Sequence, residues 1–280
     1  DMSYFSYHTS LSNSYSEKLT KLLGPPRNPF KKLNPGDDDF QRCADIARGA
    51  QDLTIKLVCK IFSHAFELTK SRRFLFSGGV AMNSASLDKV YQLPFIDEII
   101  IPPSPGDAGA SIGAAYYGFL KSNHAKKGKE MIPSLFPSVI DHDVQEKIAE
   151  NIISKEFRIL TNNREDSLLN AAQLIKTGEV IGTIVSNGET GPRALGHRSL
   201  ICNGKDVDAV KKLNTVIKNR SPFRPTAPAM TIKTAKKYYQ LRDELMDSYR
   251  SMTATCFCSD DSIALDFPTT HIDGSARLQI

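Results

Sequence analysis

The stretch F-L-F-S-G-G-V-A-M-N, residues 74–83, decides how the first half of this chain is expected to fold. Its apolar residues 74–76 predict a short buried strand that runs directly into Gly78 and Gly79, and a helix is predicted from Asn83 to about residue 92. A second strand is predicted over residues 96–101, closed by two prolines. Strands that alternate with helices in this way indicate an α/β fold.

Two more helices flank this unit in the sequence. A long amphipathic helix is predicted over residues 40–70, because its apolar positions recur every three or four residues. The positions expected on its buried face are Cys43, Ile46, Ala50, Leu53, Leu57, Ile61, Ala65 and Leu68. An Ala- and Gly-rich helix is predicted over residues 110–120.

The second half of the chain repeats this alternation after a charged stretch that contains prolines. We predict a linker over residues 122–140, which would separate a domain at 1–121 from a domain at 141–280. Beyond the linker, a strand is predicted over residues 180–185, and helices are predicted over residues 167–177, 206–217 and 234–246. The fold class of both halves is therefore predicted to be α/β.

Composition restricts the class of protein. Of the 280 residues, 40% are hydrophobic and 24% are charged, which is ordinary for a globular protein. The net charge of +5 is spread along the chain, without the basic stripe that nucleic-acid binding requires. We see no apolar run long enough to span a membrane and no leader. The protein is therefore expected to be cytoplasmic, with neither nucleic acid nor membrane as a partner.

The cysteines give a second indication of the compartment. Their number, five, is odd and their spacing is unpaired, which favours free thiols in a reducing environment. Cys43 and Cys59 are expected to pack in the core. Cys256 and Cys258 are expected on one face of a strand, which is a poor frame for zinc without a second pair.

Small residues surround two candidate ligand groups in the first half. The Gly78-Gly79 turn would let backbone N–H groups approach a phosphate or a ribose closely; the alternative is a plain tight turn. Asp107 follows the second predicted strand, with Gly106 and Gly109 beside it. A carboxylate at this point could bind a divalent metal or a ribose hydroxyl, or it could simply cap the next helix.

The stretch E-T-G-P-R-A-L-G-H-R-S, residues 189–199, sets Arg193 and Arg198 in a frame of turn-forming residues. Arginine offers a planar fork of donors that matches phosphate or carboxylate oxygens. Glu189 is expected to pair with one of these guanidinium groups. The stretch therefore predicts a site for a phosphate or an acyl phosphate.

More cations follow in two further segments. The stretch K-N-R-S-P-F-R-P, residues 218–225, contributes Lys218, Arg220 and Arg224. A strand predicted over residues 271–277 would place His271, Asp273, Ser275 and Arg277 on one face. For any single cation, a solvated surface charge is the alternative. Several cations in three Pro- or Gly-containing segments favour an anion site instead.

Five segments, taken in order, resemble the carbamoyltransferases that modify hydroxyl groups of antibiotics and nodulation signals. They are F-S-G-G-V-A-M-N at 76–83, I-P-P-S-P-G-D-A-G-A-S-I-G-A-A at 101–115, G-P-R-A-L-G-H-R-S at 191–199, L-N-T-V-I-K-N-R-S-P-F-R-P-T-A-P at 213–228 and H-I-D-G-S-A-R-L-Q at 271–279. The resemblance covers nearly the whole chain, and its most specific parts are G-P-R-A-L-G and F-R-P-T-A-P.

The resemblance implies the C-terminal part of an actin/hexokinase-like domain up to residue 121 and a YrdC-like domain from residue 141. In such enzymes, carbamoyl phosphate and ATP form carbamoyl adenylate in the YrdC-like domain. A divalent metal in the actin-like domain, either iron or magnesium or manganese, then assists the attack of an acceptor hydroxyl. By resemblance the protein is an O-carbamoyltransferase acting on a small molecule or a sugar, and a homo-oligomer is compatible with it.

The resemblance also assigns roles residue by residue. The residues that match the family's catalytic ligands of carbamoyl phosphate are Arg193, Lys218 and Arg277. The neighbours expected to bind carbamoyl phosphate and ATP with them are Arg198, Arg220 and Arg224. The residues that match the nucleotide-binding loops are Gly78, Gly79, Asn83 and Gly109, and Asp107 matches the metal-binding aspartate.

The sequence departs from the family pattern at two points. It lacks the H-x-x-x-H element that completes the family's metal site, so it is expected either to be a fragment that begins inside the actin-like domain or to have lost the transfer step. Asn187-Gly188-Glu189 stands where the family usually has Gly-Arg-x-Glu, so one expected arginine is missing.

Two alternative functions stay open. One is a non-catalytic nucleotide-binding fragment or subunit, which the missing histidines favour. The other is a related carbamoyl-adenylate enzyme of tRNA modification or hydrogenase maturation. The sequence has neither a basic nucleic-acid face nor CxxC pairs, and this speaks against the second alternative.

Overall fold

A computed structural model describes residues 2–7, 9–10, 14–30, 33–122, 163–184, 189, 191–259 and 266–280. The chain forms two compact units, Asp1–Leu57 and Val58–Ile280. The described residues form helices and three small sheets, so the predicted class, α/β, is confirmed at this level. Residues 123–140 of the predicted linker lie outside the described residues, and the division into domains at 1–121 and 141–280 stays a prediction.

Helices dominate the N-terminal part of the chain. Helix α1 spans Glu17–Leu23, and helix α2 spans Phe40–Thr69. The second of these confirms the long helix predicted over residues 40–70. Arg42 donates to the carbonyl of Leu23 at 2.9 Å and to the carbonyl of Pro25 at 3.2 Å. These two bonds fix the segment that follows α1 against the start of α2.

The buried face of α2 is not the predicted one. Phe62 is buried, whereas Leu57 and Ile61 are exposed, Ile61 by 65%. The ring of Phe62 meets the rings of Phe74 and Phe76 edge-on, each at 5.2 Å between centroids. Periodicity gives the spacing of an apolar stripe, but this aromatic contact selects a face about 100° away, which corresponds to one residue along the helix.

The first half forms the predicted strand–turn–helix–strand unit. In order, its elements are β1 (Arg73–Leu75), a 3-10 turn (Gly79–Met82), α3 (Ser84–Tyr91) and β2 (Glu98–Ile100). The two strands pair in parallel, with Phe74 opposite Ile99. Strand β1 is less buried than predicted, because the side chain of Leu75 is 70% exposed. Parallel pairing places the loops that follow β1 and β2 at the same edge of the sheet.

The remaining elements are short. In order, they are a 3-10 turn (Asp107–Gly109), α4 (Ala110–Lys121), α5 (Arg164–Lys176), β3 (Ile181–Ile184), β4 (Arg198–Ile201), α6 (Val207–Lys212), a π-helical turn (Leu213–Ile217), α7 (Ile232–Tyr238), β5 (Tyr239–Gln240), a 3-10 turn (Asp243–Leu245), α8 (Met246–Arg250), β6 (Cys256–Cys258) and β7 (Ser275–Ala276). Strands β3 and β4 form an antiparallel pair, and β5, β6 and β7 form an antiparallel sheet with β6 in the centre.

The helix predicted over residues 234–246 is wrong beyond its first part. Helix α7 ends at Tyr238, and the chain turns into β5, which pairs Tyr239 with Cys258 and Gln240 with Phe257. The side chain of Tyr239 is buried. Strand pairing and burial at this point therefore outweigh the local helical pattern.

The strand predicted over residues 271–277 is also shorter than expected. Only Ser275–Ala276 is a strand, and the residues before it form a turn. The carboxylate of Asp273 accepts from the backbone N–H of Ser275 at 3.0 Å and lies 2.9 Å from Nδ1 of His271. These bonds close the turn, so His271 and Asp273 do not continue the face that carries Arg277.

One cluster of buried apolar side chains lies within the unit Val58–Ile280 and draws on both halves of the sequence. Phe62, Leu87 and Ile99 belong to it, as do Tyr249 and Leu278 from the second half. Residues separated by more than a hundred positions therefore share one core, which fixes the loops of both halves relative to each other.

The predicted placement of Cys256 and Cys258 is confirmed, and that of Cys43 and Cys59 is confirmed in part. All five thiols are free. Cys256 and Cys258 are both buried on one face of β6, with Phe257 between them on the other face. Cys59 packs against the core cluster, whereas Cys43 is only half-buried. Among the described residues, no helix combines the length and the apolar character that crossing a membrane requires.

Candidate active site

The turn over residues 191–198, which we call the arginine turn, is organised by Glu189. Its Oε2 accepts from the backbone N–H of Leu195 at 2.8 Å and of His197 at 3.2 Å, and its Oε1 accepts from the backbone N–H of Arg198 at 3.2 Å. The predicted pairing of Glu189 with a guanidinium group is therefore wrong. The carboxylate shapes the backbone of the turn and leaves the charges of the arginines uncompensated.

Further bonds hold the arginine turn in place. The hydroxyl of Thr183 on β3 donates to the carbonyl of Gly196 at 3.0 Å. Gln279, near the end of the chain, donates to the carbonyl of Leu195 at 2.7 Å. Gly191 and Gly196 have φ values of 102° and 103°, which side chains with a Cβ rarely adopt. The Gly-Pro and Leu-Gly pairs of the sequence are thus explained by backbone geometry.

A second set of cations follows the π-helical turn Leu213–Ile217. The N–H of Lys218 donates to the carbonyl of Leu213 at 2.9 Å, which is the wider spacing of a π turn. Asn219 has a φ of 46°, so the chain reverses here before it reaches Arg220 and Arg224. The side chains of Lys218, Arg220 and Arg224 thus follow an irregular stretch of backbone. π-Helical turns of this kind are frequent at functional sites.

Four guanidinium groups influence one another at the centre of the site. Burial, and then the charges of Arg193, Arg220 and Arg224 in that order of importance, together lower the pKa of Arg277 to about 10. Burial also lowers the pKa of Arg193, and burial together with the charge of Arg224 lowers that of Arg220. We call these residues the arginine cluster.

The arginine cluster is not neutralised by protein groups. In the described part of the chain, none of its members forms an ion pair, and the buried Nε atoms of Arg193 and Arg277 have no hydrogen-bond partner. An unpaired buried N–H group and mutually repelling cations both raise the free energy of the folded protein. A bound anion with several oxygen atoms would supply the missing partners and charge.

Two other predicted ligands differ in their relation to the cluster. Burial and the charge of Arg220 lower the pKa of Lys218, so this ammonium group belongs to the same environment. Arg198 lies exposed on β4, opposite Ile184, and it is not among the charges that act on Arg277. The structure therefore brings Lys218 to the cluster and leaves Arg198 at its outside.

The arginine cluster adjoins the loops of the first half. Nη2 of Arg193 donates to the backbone carbonyl of Met82 at 3.3 Å, at the end of the 3-10 turn that follows Gly78. A Cβ built on Gly191 would lie 3.6 Å from the carbonyl oxygen of Pro103 and 3.7 Å from the side chain of Ser104. The predicted anion site and the predicted nucleotide-binding loops are thus neighbours in one compact unit.

The Gly78-Gly79 turn has the open side that ligand binding requires. Gly78 has a φ of 97°, and its N–H donates to the carbonyl of Pro105 at 2.7 Å, which joins the loops after β1 and β2. A Cβ on Gly78 or on Gly79 would meet no heavy atom within 4 Å. Asn83 caps α3, because its side-chain oxygen accepts from the N–H of Ser86 at 3.2 Å.

In the loop around Asp107, Gly109 and Asp107 have different structural surroundings. Gly109 is required by packing, since a Cβ there would overlap the carbonyl oxygen of Ser104. Asp107 is exposed and does not cap α4, whose N-terminal cap is Gly109 without a side-chain bond. The capping alternative is therefore wrong. No group of three or more His, Cys, Asp or Glu side chains arranged for a metal occurs among the described residues.

Comparison with models of known protein families shows which family the chain belongs to. Residues 1–116 match the model of the carbamoyltransferase N-terminus, and residues 172–280 match the model of the carbamoyltransferase C-terminus. The chain belongs to the carbamoyltransferase family. The two matches follow each other in the order that the family names imply and together cover most of the sequence.

Individual carbamoyltransferase relatives agree with the family models. Nodulation protein NolNO of Sinorhizobium fredii is 27% identical over 85% of this chain and 35% of its own length. Nodulation protein NolO of Bradyrhizobium diazoefficiens is 28% identical over 85% of the chain and 43% of its own length. The 3'-hydroxymethylcephem-O-carbamoyltransferase of Streptomyces clavuligerus is 26% identical over 76% of the chain and 34% of its own length.

The chain spans between about a third and about a half of the length of the curated relatives it matches. The activity, the substrates and the partners of the whole carbamoyltransferase are therefore proposals. The two family matches end and resume on either side of residues 117–171, most of which lie outside the described residues.

One residue of the site was not predicted from the sequence. Asn214 lies in the π-helical turn, is fully buried, and bonds to the segment that carries Arg220 and Arg224. The signal in the sequence that could have indicated it is an asparagine within the apolar pattern of the predicted helix 206–217. The position of its bonding partners is set by the fold of the loop.

Proposed function

We propose that this protein is an O-carbamoyltransferase that forms carbamoyl adenylate from carbamoyl phosphate and ATP. The observation that carries the proposal is the arginine cluster, whose four cations lack protein counterions among the described residues. Both substrates are polyanions with phosphate groups. The Streptomyces clavuligerus relative is named as an O-carbamoyltransferase, which supports the same chemistry.

The cluster would act by binding and by stabilising charge. The guanidinium groups of Arg193 and Arg220 are held by bonds to Met82 and Asn214, so their donors do not have to reorganise when phosphate oxygens gain charge. Phosphoryl and adenylyl transfers depend mainly on positioning and on such electrostatic stabilisation. Lys218 adds a mobile point charge at the same place. In the balanced reaction, water cleaves carbamoyl phosphate to carbamate and inorganic phosphate. An oxygen of the carbamate then attacks the α-phosphorus of ATP, which forms carbamoyl adenylate and releases pyrophosphate. We assign both steps to this set.

The transfer step is proposed for the neighbouring loops. An acceptor hydroxyl attacks the carbonyl carbon of the carbamoyl adenylate, AMP leaves, and the carbamate ester remains on a small molecule or sugar. The contact of Arg193 with Met82 supports this arrangement, because it places the arginine cluster beside the open turn at Gly78 and Gly79. Gly78, Gly79 and Asn83 are proposed to contact the adenylate at this turn.

The divalent metal that the family resemblance implies does not fit the described residues by themselves. Asp107 offers one exposed carboxylate, and the described residues provide no group of three metal-ligating side chains with it. The proposal therefore routes no step through a metal. The assignment of an actin/hexokinase-like part and a YrdC-like domain is likewise a proposal, which the parallel β1–β2 unit and the family matches support.

Pyrophosphate release tests the proposal. The purified protein is mixed with carbamoyl phosphate and ATP, and we expect pyrophosphate only when both substrates are present. Hydroxylamine added to the mixture should capture the carbamoyl group as hydroxyurea with release of AMP, which identifies the adenylate.

The arginine cluster is tested in the same assay. Arg193→Ala should lower the rate of pyrophosphate release by at least about a hundredfold. Arg250→Ala is the matched control, because Arg250 is exposed and paired with Asp247 at 2.8 Å, and its rate should equal that of the wild type. A folded protein that binds ATP but releases no pyrophosphate would instead be a non-catalytic nucleotide-binding module. Pyrophosphate release that Arg193→Ala leaves unchanged would remove the cluster from the reaction.

A further inference from the structure

The side chain of Asn214 connects both ends of the segment that presents Arg220 and Arg224. Its Oδ1 accepts from Nε of Arg220 at 2.7 Å. Its Nδ2 donates to the carbonyl of Arg224 at 2.8 Å and to the carbonyl of Pro222 at 3.3 Å. The side chain is fully buried, so these bonds are made without competition from water.

The backbone of Asn214 adds a fourth bond to the same segment. Its carbonyl accepts from the N–H of Arg220 at 2.8 Å. Arg220 is therefore held at two points by one residue, through its main chain and through its guanidinium. Because Nε is committed to Asn214, the orientation of the guanidinium plane of Arg220 is fixed.

This geometry has a direct electrostatic consequence. An acceptor that is neutral orients the guanidinium of Arg220 without cancelling its positive charge, whereas a carboxylate in its place would form an ion pair. Burial, and after it the neighbouring charge of Arg224, lowers the pKa of Arg220, so the two cations repel each other and need a fixed frame to stay close. The neutral carboxamide of Asn214, which forms hydrogen bonds through both Oδ1 and Nδ2, provides that frame.

We infer that Asn214 is a positioning residue of the anion site, which acts mainly by fixing the guanidinium of Arg220 for a phosphate-bearing substrate and also holds the main chain at Arg224. This inference rests on the proposed function of the arginine cluster as an anion site. It adds a group that does not touch the substrate and that determines how two of the substrate's ligands are presented.

The test is a double-mutant cycle on anion affinity. The purified protein is titrated with pyrophosphate, a stable probe, and then with carbamoyl phosphate. Asn214→Ala should raise the dissociation constant by about tenfold, as the loss of a bond to a charged group predicts. The same change made in an Arg220→Ala protein should raise it by less than about twofold, because the anchored group is gone.

Two controls separate positioning from general loss of structure. Thr253→Ala removes a buried polar group whose bonds lie within residues 248–253, so it should leave the dissociation constant within about twofold of the wild type. Arg220→Lys keeps the positive charge but removes Nε. It should weaken binding about as much as Asn214→Ala, and it tests the same bond if Asn214→Ala does not fold.

The possible results either support or overturn the inference. Wild-type affinity in Asn214→Ala, or in Arg220→Lys where the first variant does not fold, would overturn it. So would effects of Asn214→Ala and Arg220→Ala that simply multiply. If the wild type binds pyrophosphate but releases none from ATP, the proposed reaction fails while the cycle still decides the role of Asn214. If the wild type binds neither anion, the inference fails together with the site.

Discussion

Nη2 of Arg193 donates to the backbone carbonyl of Met82 at 3.3 Å, across 111 positions of the sequence. One arginine thereby belongs both to the arginine cluster and to the wall of the Gly78-Gly79 turn. Its Nε is buried and has no partner among the described residues, so the same side chain retains a donor for a ligand. This bond makes the two predicted sites parts of one surface.

Replacing Arg277 should stabilise the ligand-free protein. Its guanidinium is partly buried among three other arginines and has no counterion in the described part of the chain. Arg277→Met keeps most of the side-chain volume and removes the uncompensated charge. We expect the free energy of unfolding to rise by about 1–3 kcal/mol in urea titrations, together with a large loss of pyrophosphate affinity. A less stable variant would mean that Arg277 has protein partners in the folded state.

The difference in stability between the wild type and Arg277→Met should depend on pH. The pKa of Arg277 is about 10 in the folded protein, well below its ordinary value in the unfolded chain. Between these values the unfolded chain binds more protons, so the contribution of this group to stability rises with pH. The stability advantage of Arg277→Met should therefore be constant up to about pH 9 and shrink above about pH 10. A gap that widens with pH would contradict the lowered pKa.

The ion pair between buried Asp88 and half-buried Arg242 should contribute to stability. Oδ1 of Asp88 lies 3.4 Å from Nη2 of Arg242, and Asp88 is buried. Asp88→Ala leaves Arg242 without this partner, so we expect a loss of about 2–4 kcal/mol in the free energy of unfolding.

The exposed pair Arg72–Asp97 is a matched comparison for this ion pair. Its atoms are only 2.8 Å apart, but both side chains are about half exposed. Asp97→Ala should cost less than about 1 kcal/mol in the same urea titration. Equal losses in the two variants would show that burial does not decide the strength of these pairs.

Gly109 and Gly113 should respond in opposite ways to alanine. A Cβ on Gly109 would overlap the carbonyl oxygen of Ser104, and the backbone on both sides would have to move. Gly109→Ala should therefore lower the free energy of unfolding by about 2 kcal/mol or more. Gly113 lies in α4 with no heavy atom within 4 Å of its Cβ position, so Gly113→Ala should stabilise by up to about 1 kcal/mol. Thermal unfolding of both variants checks the contrast.

Cys256 and Cys258 should be unreactive in the folded protein. Both are buried on β6, burial raises the pKa of Cys256 to about 12, and burial also raises that of Cys258. Alkylation by iodoacetamide at about pH 8, followed by peptide mass spectrometry, should label neither until denaturant is added. Rapid labelling of Cys256 in the folded protein would show that β6 opens readily.

Local patterns predicted the regular elements well. The period of apolar residues identified α2, and the order of strand, paired glycines and helix identified the unit around β1, α3 and β2. Both signals depend on residues close in sequence, so they survive in any tertiary context. The same patterns could not orient α2, because its buried face is chosen by the contact of Phe62 with Phe74 and Phe76.

Competition between local and distant bonds explains the errors. Residues after Tyr238 fit a helix, yet pairing with β6 draws Tyr239 and Gln240 into a strand. Glu189 was expected to pair with an arginine, but its carboxylate oxygens accept hydrogen bonds from three backbone N–H groups of the arginine turn. In both cases the partner is defined only once the chain has folded.

The sequence alone determined the family, the α/β class and the set of cations. The order of its glycine, proline and arginine residues predicts where turns form and which positive charges lie on those turns. The tertiary structure decided how those cations are arranged. It buried Arg277 among Arg193, Arg220 and Arg224, left Arg198 outside, and placed Asn214 beneath the loop. The physical reason is that burial, repulsion between like charges and the partner of each hydrogen bond depend on distances that only the folded chain defines.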